Sequence, residues 1–249
     1  MLFEPTSAAT DIRRSFDYTP DRHGRTGSAD VHSPAVSSGS SAISRSDDEL
    51  THGQFLISAG IFEGALLLIA FVAGWVTGTN PTLWLQWRSE DFVLGLAATL
   101  PMLALLAICM LSRSSGMLQI RKFLRETIGV FLARCRLIDL ILLALLAGVC
   151  EEIFFRGFLY AWVAAWNPVL AVMLTNLLFG LAHAVTPVYA MLAAFLGLYL
   201  TALVASDSTP NLLIPITAHT LYDLVAFYVI IRDCRRHEQQ SADTAANEQ

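Results

Sequence analysis

Charge is what this chain most lacks. Of its 249 residues only 15% are Asp, Glu, Lys or Arg, against about a quarter in ordinary soluble domains, and that shortfall excludes a conventional water-soluble globule. Cysteine is sparse too. Cys109, Cys135, Cys150 and Cys234 form no C-x-x-C pair, so neither a disulfide framework nor a zinc knuckle is expected, and those in apolar runs act as small hydrophobes. Cys150 adjoins Glu151, where like charge disfavours a nucleophilic thiolate. The N-terminal region has no apolar core ahead of a small-residue cleavage site, so a secretory signal peptide is not expected. There is also no solenoid-type repeat, no duplication of the kind that marks many transporters, and no His-Glu-x-x-His helix.

What is present is apolar. Hydrophobic residues make up 55% of the chain and the mean hydropathy is +0.54. A helix needs about 20 apolar residues to cross the hydrocarbon, and several runs of that kind occur. They predict an all-α, polytopic membrane bundle with about six transmembrane helices, at approximately 54–76, 92–112, 137–160, 168–184, 188–206 and 211–231. Residues 1–52, rich in Ser, Asp, Arg, Thr and Gly, bury too little to offset chain entropy and read as a disordered polar tail. The expected organisation is this tail, two N-terminal helices over 53–112, a basic amphipathic segment over 113–136, a core over 137–231 and a polar C-terminal tail over 232–249.

In the 113–136 segment Met117, Ile120, Leu124, Ile128, Phe131 and Cys135 form a stripe. Lys122, Arg125 and Arg136 lie off it, and Arg121 and Arg134 flank it. Such a helix lies on an anionic leaflet or packs against the base of the bundle. Lys and Arg number five in the first tail, one in the 77–91 loop, six in 112–136 and three after the last span. Under the positive-inside rule this places both termini in the cytoplasm.

Charges at bilayer depth are costly, by at least roughly 2.5–3.5 kcal/mol each, and mark functional positions that face the protein interior. Glu151, Glu152 and Arg156 stand within one apolar run. Glu152 and Arg156 are four apart and share a helix face, whereas Glu151 points about 100° away. One glutamate is then neutralised while the other stays available as a general base; two carboxylates satisfying one buried arginine is the plainer alternative. The fourth run holds Phe179 and His183, with Asn176 near the same face, and the sixth holds His219 and Asp223, four apart. With the turn between runs three and four at Asn167, Glu151 precedes it by 16 residues and His183 follows it by 16. In an antiparallel hairpin they stand at one height. Glu63 is a further carboxylate in the first run; it lines a water-filled entrance or, as the preferred reading, hydrogen-bonds a neighbouring helix, and is left out of the site. Ala193, Gly197 and Thr201, spaced by four, suggest close helix packing.

The ordered set Glu-Glu-x-x-x-Arg at 151–156, Phe-x-x-x-His at 179–183 and His-x-x-x-Asp at 219–223 resembles the CPBP family of intramembrane proteases. That family includes type II CAAX prenyl endopeptidases and bacteriocin-processing or immunity proteins of the Abi-like group. The resemblance covers roughly residues 135–231. It implies Glu151 as general base with His183 as its partner on an attacking water, His219 and Asp223 positioning the substrate or stabilising the oxyanion, and Glu152 with Arg156 bracing the site. Phe179 and Asn176 are supporting residues. Asp223 departs from the Asn of the eukaryotic branch; an ionised Asp cannot donate to an oxyanion, so orienting His219 is its safer role.

Glu151, Glu152 and Asp223 against Arg156 leave a charge of −2, to be removed by protonation, by imidazolium or by a divalent cation. Zinc on Glu151, His183 and His219 would leave an open water position; protonation is simpler, and no cofactor is favoured. The expected function is endopeptidase cleavage of a membrane-associated substrate, prenylated or leader-bearing, within the lipid bilayer. No nucleic-acid partner is expected. The alternatives are a proton- or ion-coupled transporter using the same groups as a relay, and a non-catalytic immunity or scaffold protein.

Overall fold

A computed structural model describes residues 52–205 and 209–247. The polar tail expected over 1–52 lies outside these apart from His52, which opens the first helix. The described chain runs α1 (His52–Thr77), α2 (Ser89–Leu111), α3 (Ser115–Phe123), α4 (Leu137–Glu152), α5 (Pro168–Ala182), α6 (Pro187–Ala205) and α7 (Leu213–Asn247). Two of these helices continue beyond their α-helical ends. α3 passes into a π-helical stretch, Leu124–Gly129, and α4 into a longer one, Ile153–Tyr160.

The all-helical architecture is as expected. Among the described residues α1 (from Gly53), α2, α6 and α7 are long and apolar enough to cross a membrane. The expected span 137–160 is α4 with its π-helical continuation, one unbroken helical run that reaches Ala164, and the expected span 168–184 is α5, 15 residues. Of the two, only α5 is short of the roughly 20 residues a crossing needs. α7 differs at its other end. It spans 35 residues, about 50 Å at 1.5 Å per residue, so the region expected as a C-terminal tail from 232 is helical through Asn247.

Local chemistry sets the helix starts. The Asn167 side chain accepts from Leu170 N at 3.0 Å, and Pro168, with no N–H to lose, takes the first position of α5. Asp139 accepts from Arg136 N at 2.8 Å at the start of α4. Thr186 accepts from Tyr189 N at 3.1 Å at the start of α6. Ser114 caps α3 by accepting from Met117 N. α3 is tied to the bundle: Arg121 donates to the carbonyls of Met110 and Ser112 at the end of α2, and Arg125 Nη1 stands 3.2 Å from Asp233 Oδ2 on α7.

A fully buried asparagine fastens the α1–α2 connection to the start of α7. Asn211 Nδ2 donates to Gln86 O (2.7 Å) and Asp91 Oδ2 (2.6 Å), while its Oδ1 accepts from Gln86 N (3.0 Å) and Leu213 N (3.1 Å). The same connection presses on the π-helical stretch of α4. A Cβ at Gly157 would stand 2.1 Å from Pro81 O, so only glycine allows this approach. Around it Phe155, Phe158, Leu159, Tyr160, Ala70, Ala171 and Phe179 form the largest buried apolar cluster. This packing sets the end of α4, and with it the two glutamates, against α5, α6 and α7.

Candidate active site

Arg156 is the most constrained charge in the structure. It is fully buried, as is Glu152. Its Nη1 donates to Glu152 Oε1 at 2.8 Å, its Nη2 to Gly197 O at 2.8 Å, and its Nε to Thr201 Oγ1 at 3.3 Å. Thr201 in turn donates to Asn176 Oδ1 at 3.0 Å, and Asn176 Nδ2 donates to Val172 O at 2.7 Å. The guanidinium also lies 4.6 Å from the centroid of the Phe179 ring, a cation–π contact strengthened by desolvation. The small-residue stripe of α6 therefore does more than pack helices, because Gly197 and Thr201 bind the arginine directly. A Cβ at Gly197 would lie 2.9 Å from Phe179, 3.0 Å from Asn176 Oδ1 and 3.3 Å from Arg156 Nη2.

Glu152 has a second partner that sequence spacing does not reveal. Its Oε1 also accepts from His219 Nδ1 at 2.8 Å. The carboxylate that orients His219 at Nδ1 is thus Glu152, and Asp223 stands at the other nitrogen, 3.5 Å from Nε2. His183 is fixed from its own helix. It sits at the C-cap of α5, where a return to the last turn is short, and its Nδ1 donates to Phe179 O at 2.8 Å. A carbonyl can only accept, so the neutral ring carries its lone pair on Nε2.

The two Nε2 atoms converge on Glu151. Glu151 Oε1 is 3.9 Å from His183 Nε2 and Glu151 Oε2 is 3.9 Å from His219 Nε2. These separations are too long for direct hydrogen bonds and short enough for one water to touch both partners. Glu151 is 7% exposed, and its Oε2 has no hydrogen-bond partner among the described residues. The Phe179 ring contacts both histidines, tilted against His183 at 4.7 Å and edge-on to His219 at 6.1 Å between centroids.

All eight residues singled out from the sequence therefore lie in one assembly: Glu151, His183, His219 and Asp223 face one another, and Glu152, Arg156, Phe179 and Asn176 hold them. Among the described residues no group of three or more His, Cys, Asp and Glu is arranged to hold a metal ion. Glu63 differs from expectation. It makes no hydrogen bond to a neighbouring helix among the described residues; its Oε2 is buried without a partner, within electrostatic reach of Glu151, His219 and Asp223. Two residues that the motifs do not contain, Tyr189 and Tyr222, line the same space.

That space is a cavity of about 180 Å³ bounded by α2, α3, the end of α5, α6 and α7, comparable with an apolar cavity of roughly 150 Å³ that accepts benzene. His183, His219 and Asp223 belong to its wall, and Met102, Leu105, Leu196, Leu200, Phe227 and Ile230 are among its apolar lining.

No curated protein and no solved structure matches the chain. A family model described as type II CAAX prenyl endopeptidase Rce1-like matches residues 133–225, a segment that contains every side chain of the Glu151–Asp223 assembly. Over this segment the chain is similar to the Rce1-like type II CAAX prenyl endopeptidases of the CPBP family, which are intramembrane peptidases.

Proposed function

We propose that this integral membrane protein is an endopeptidase that cleaves a peptide bond of a membrane-associated substrate, CAAX-type prenylated or leader-bearing, by means of a water activated on Glu151. One observation carries the reading: a buried carboxylate 3.9 Å from the Nε2 atoms of two imidazoles at the wall of an apolar cavity.

Water bound here gives one O–H to Glu151 and the other to the lone pair of His183 Nε2, which turns an oxygen lone pair towards the scissile carbonyl. Attack forms the C–O bond as the carbonyl π pair moves to oxygen, and Glu151 takes the proton. Collapse of the tetrahedral intermediate breaks the C–N bond, and Glu151 returns that proton to the leaving amine. His219, held at Nδ1 by Glu152, presents Nε2 to the same region and is the positioning group for substrate. Asp223, an acceptor when ionised, balances a protonated His219. Glu152 and Arg156 neutralise each other and keep His219 in register. The surrounding low dielectric strengthens each of these contacts.

The scheme moves one proton from water to Glu151 and from Glu151 to the leaving amine, and no step is routed through a metal ion. The apolar cavity has room for an aromatic or branched aliphatic side chain of the substrate beside the scissile bond. In the same reading α3 lies at the cytoplasmic leaflet with both termini on that side, and the 77–91 loop is outside.

The test compares wild type with Glu151→Gln and His183→Ala in peptide cleavage by membranes, with a chelator in parallel. Both variants are expected to lose about 10²–10⁴-fold in rate, while wild type is insensitive to the chelator. Normal cleavage by both folded variants overturns the assignment. Loss with chelator that zinc restores would instead place the water on a metal held by Glu151, His183 and His219.

A further inference from the structure

Peptide hydrolysis needs a donor aimed at the oxyanion, and the third motif does not supply one. It ends in Asp223, which when ionised only accepts. His219 donates from Nδ1 to Glu152, so Nε2 of the neutral ring carries a lone pair and no proton, and it faces Asp223 at 3.5 Å and Glu151 at 3.9 Å. Arg156 is fully buried, with each of its nitrogens engaged. A neutral donor must come from elsewhere in the wall of the cavity.

Tyr189 meets the requirement. Thr186 caps α6 by accepting from Tyr189 N, and the connection from the end of α5 is short, so Tyr189 lies in the first turn of α6, six residues after His183. Its ring centroid is 6.5 Å from that of His183. It lines the cavity together with His183, His219 and Asp223, and it lies within electrostatic reach of Asp223 and Glu151. Among the described residues its hydroxyl has no hydrogen-bond partner, nor is it one of the sealed, unsatisfied polar atoms, so the O–H is accessible and unengaged. Tyr222 also lines the cavity, but its ring packs in the Met102, Leu200 and Ala218 cluster. Tyr199, on the same helix as Tyr189, spends its hydroxyl on Ala98 O at 2.9 Å.

We propose that Tyr189 is a catalytic residue whose phenolic O–H donates to the oxyanion formed when the Glu151 water adds to the scissile carbonyl. The inference rests on the peptidase reading above. Tyr189 transfers no proton: the carbonyl π pair moves to oxygen, the O–H stays covalently on the tyrosine, and its hydrogen bond to that oxygen shortens. When the C–N bond breaks the pair returns to carbon, the amine takes the proton from Glu151, and the hydrogen bond relaxes.

The experiment uses the full chain in vesicles with two probes, a farnesylated peptide ending in an apolar tripeptide and a leader-bearing precursor peptide, and a phosphinate analogue of whichever is cut. The phosphinate places a tetrahedral anion at the scissile position. Tyr189→Phe is expected to lower kcat by about 10²–10³-fold with KM nearly unchanged, and to weaken phosphinate binding by the same factor, while Tyr199→Phe matches wild type in both. If Tyr189→Phe cuts and binds phosphinate like wild type while Glu151→Gln is inactive, the tyrosine assignment falls and the peptidase reading stands. A lower kcat with unchanged phosphinate binding also overturns it, since a purely structural role would give that result. Glu151→Gln cutting like wild type, or wild type cutting neither probe, overturns the peptidase reading and this inference with it.

Discussion

Arg156 and Glu152 illustrate why charge survives in an apolar core. Breaking a buried ion pair from one side costs about 3–5 kcal/mol, because the remaining charge is uncompensated, whereas removing both partners together costs far less. Glu152→Gln is therefore expected to lower thermal stability strongly in detergent. The double variant Glu152→Gln with Arg156→Met should recover most of the melting temperature and still fail to cut, since His219 Nδ1 then lacks its carboxylate; activity regained along with stability would show that Glu152 has no positioning role. Part of this was legible in the sequence. The 100° rotation between adjacent helical residues separates a paired Glu152 from an unpaired Glu151, and four-residue spacing pairs Glu152 with Arg156. The bond from Glu152 to His219 was not legible, because it joins residues 67 apart and depends on how α7 lies against α4. The same holds for Tyr189 and Glu63, whose significance comes only from what they face.

The elements carry the next level of specification. Helix starts at Asn167-Pro168 and Ser114 follow from capping chemistry and can be read directly from residue type. The π-helical continuation of α4 could not be read this way, since its sequence, Ile153 to Tyr160, is as apolar as the α-helix before it. It is fixed by neighbours: the α1–α2 connection approaches so closely that Gly157 cannot carry a Cβ. Gly157→Ala is expected to destabilise the fold by about 1–3 kcal/mol through overpacking, measurable as a lower melting temperature. Asn211→Ala removes four hydrogen bonds at a fully buried position and leaves Asp91 with Arg88 alone among these partners. A loss of at least about 1–3 kcal/mol is expected, with faster proteolysis of the 78–88 connection as a local readout; wild-type behaviour in both assays would show the fastening to be dispensable.

For the whole molecule, the distribution of Lys and Arg sets an orientation that labelling can check. Leu83 is exposed in the first connection and Gln240 is exposed on the distal part of α7. In intact cells a membrane-impermeant maleimide should modify Leu83→Cys and spare Gln240→Cys, relative to the parent chain; the reverse pattern would invert the proposed topology. Sequence by itself determined that the chain is a helical membrane protein and which polar residues are the candidates for its site, because such runs cross hydrocarbon as helices with internally satisfied backbones and every charge within them is costly. Tertiary structure alone decided the continuation of α7 to Asn247, the partner of His219 and the cavity that Tyr189 shares with His183, His219 and Asp223. The reason is physical: burial and helical periodicity act on neighbours along the chain, whereas a catalytic arrangement is made of distances between helices, and those are set by how glycines, capped turns and one buried arginine let the helices meet.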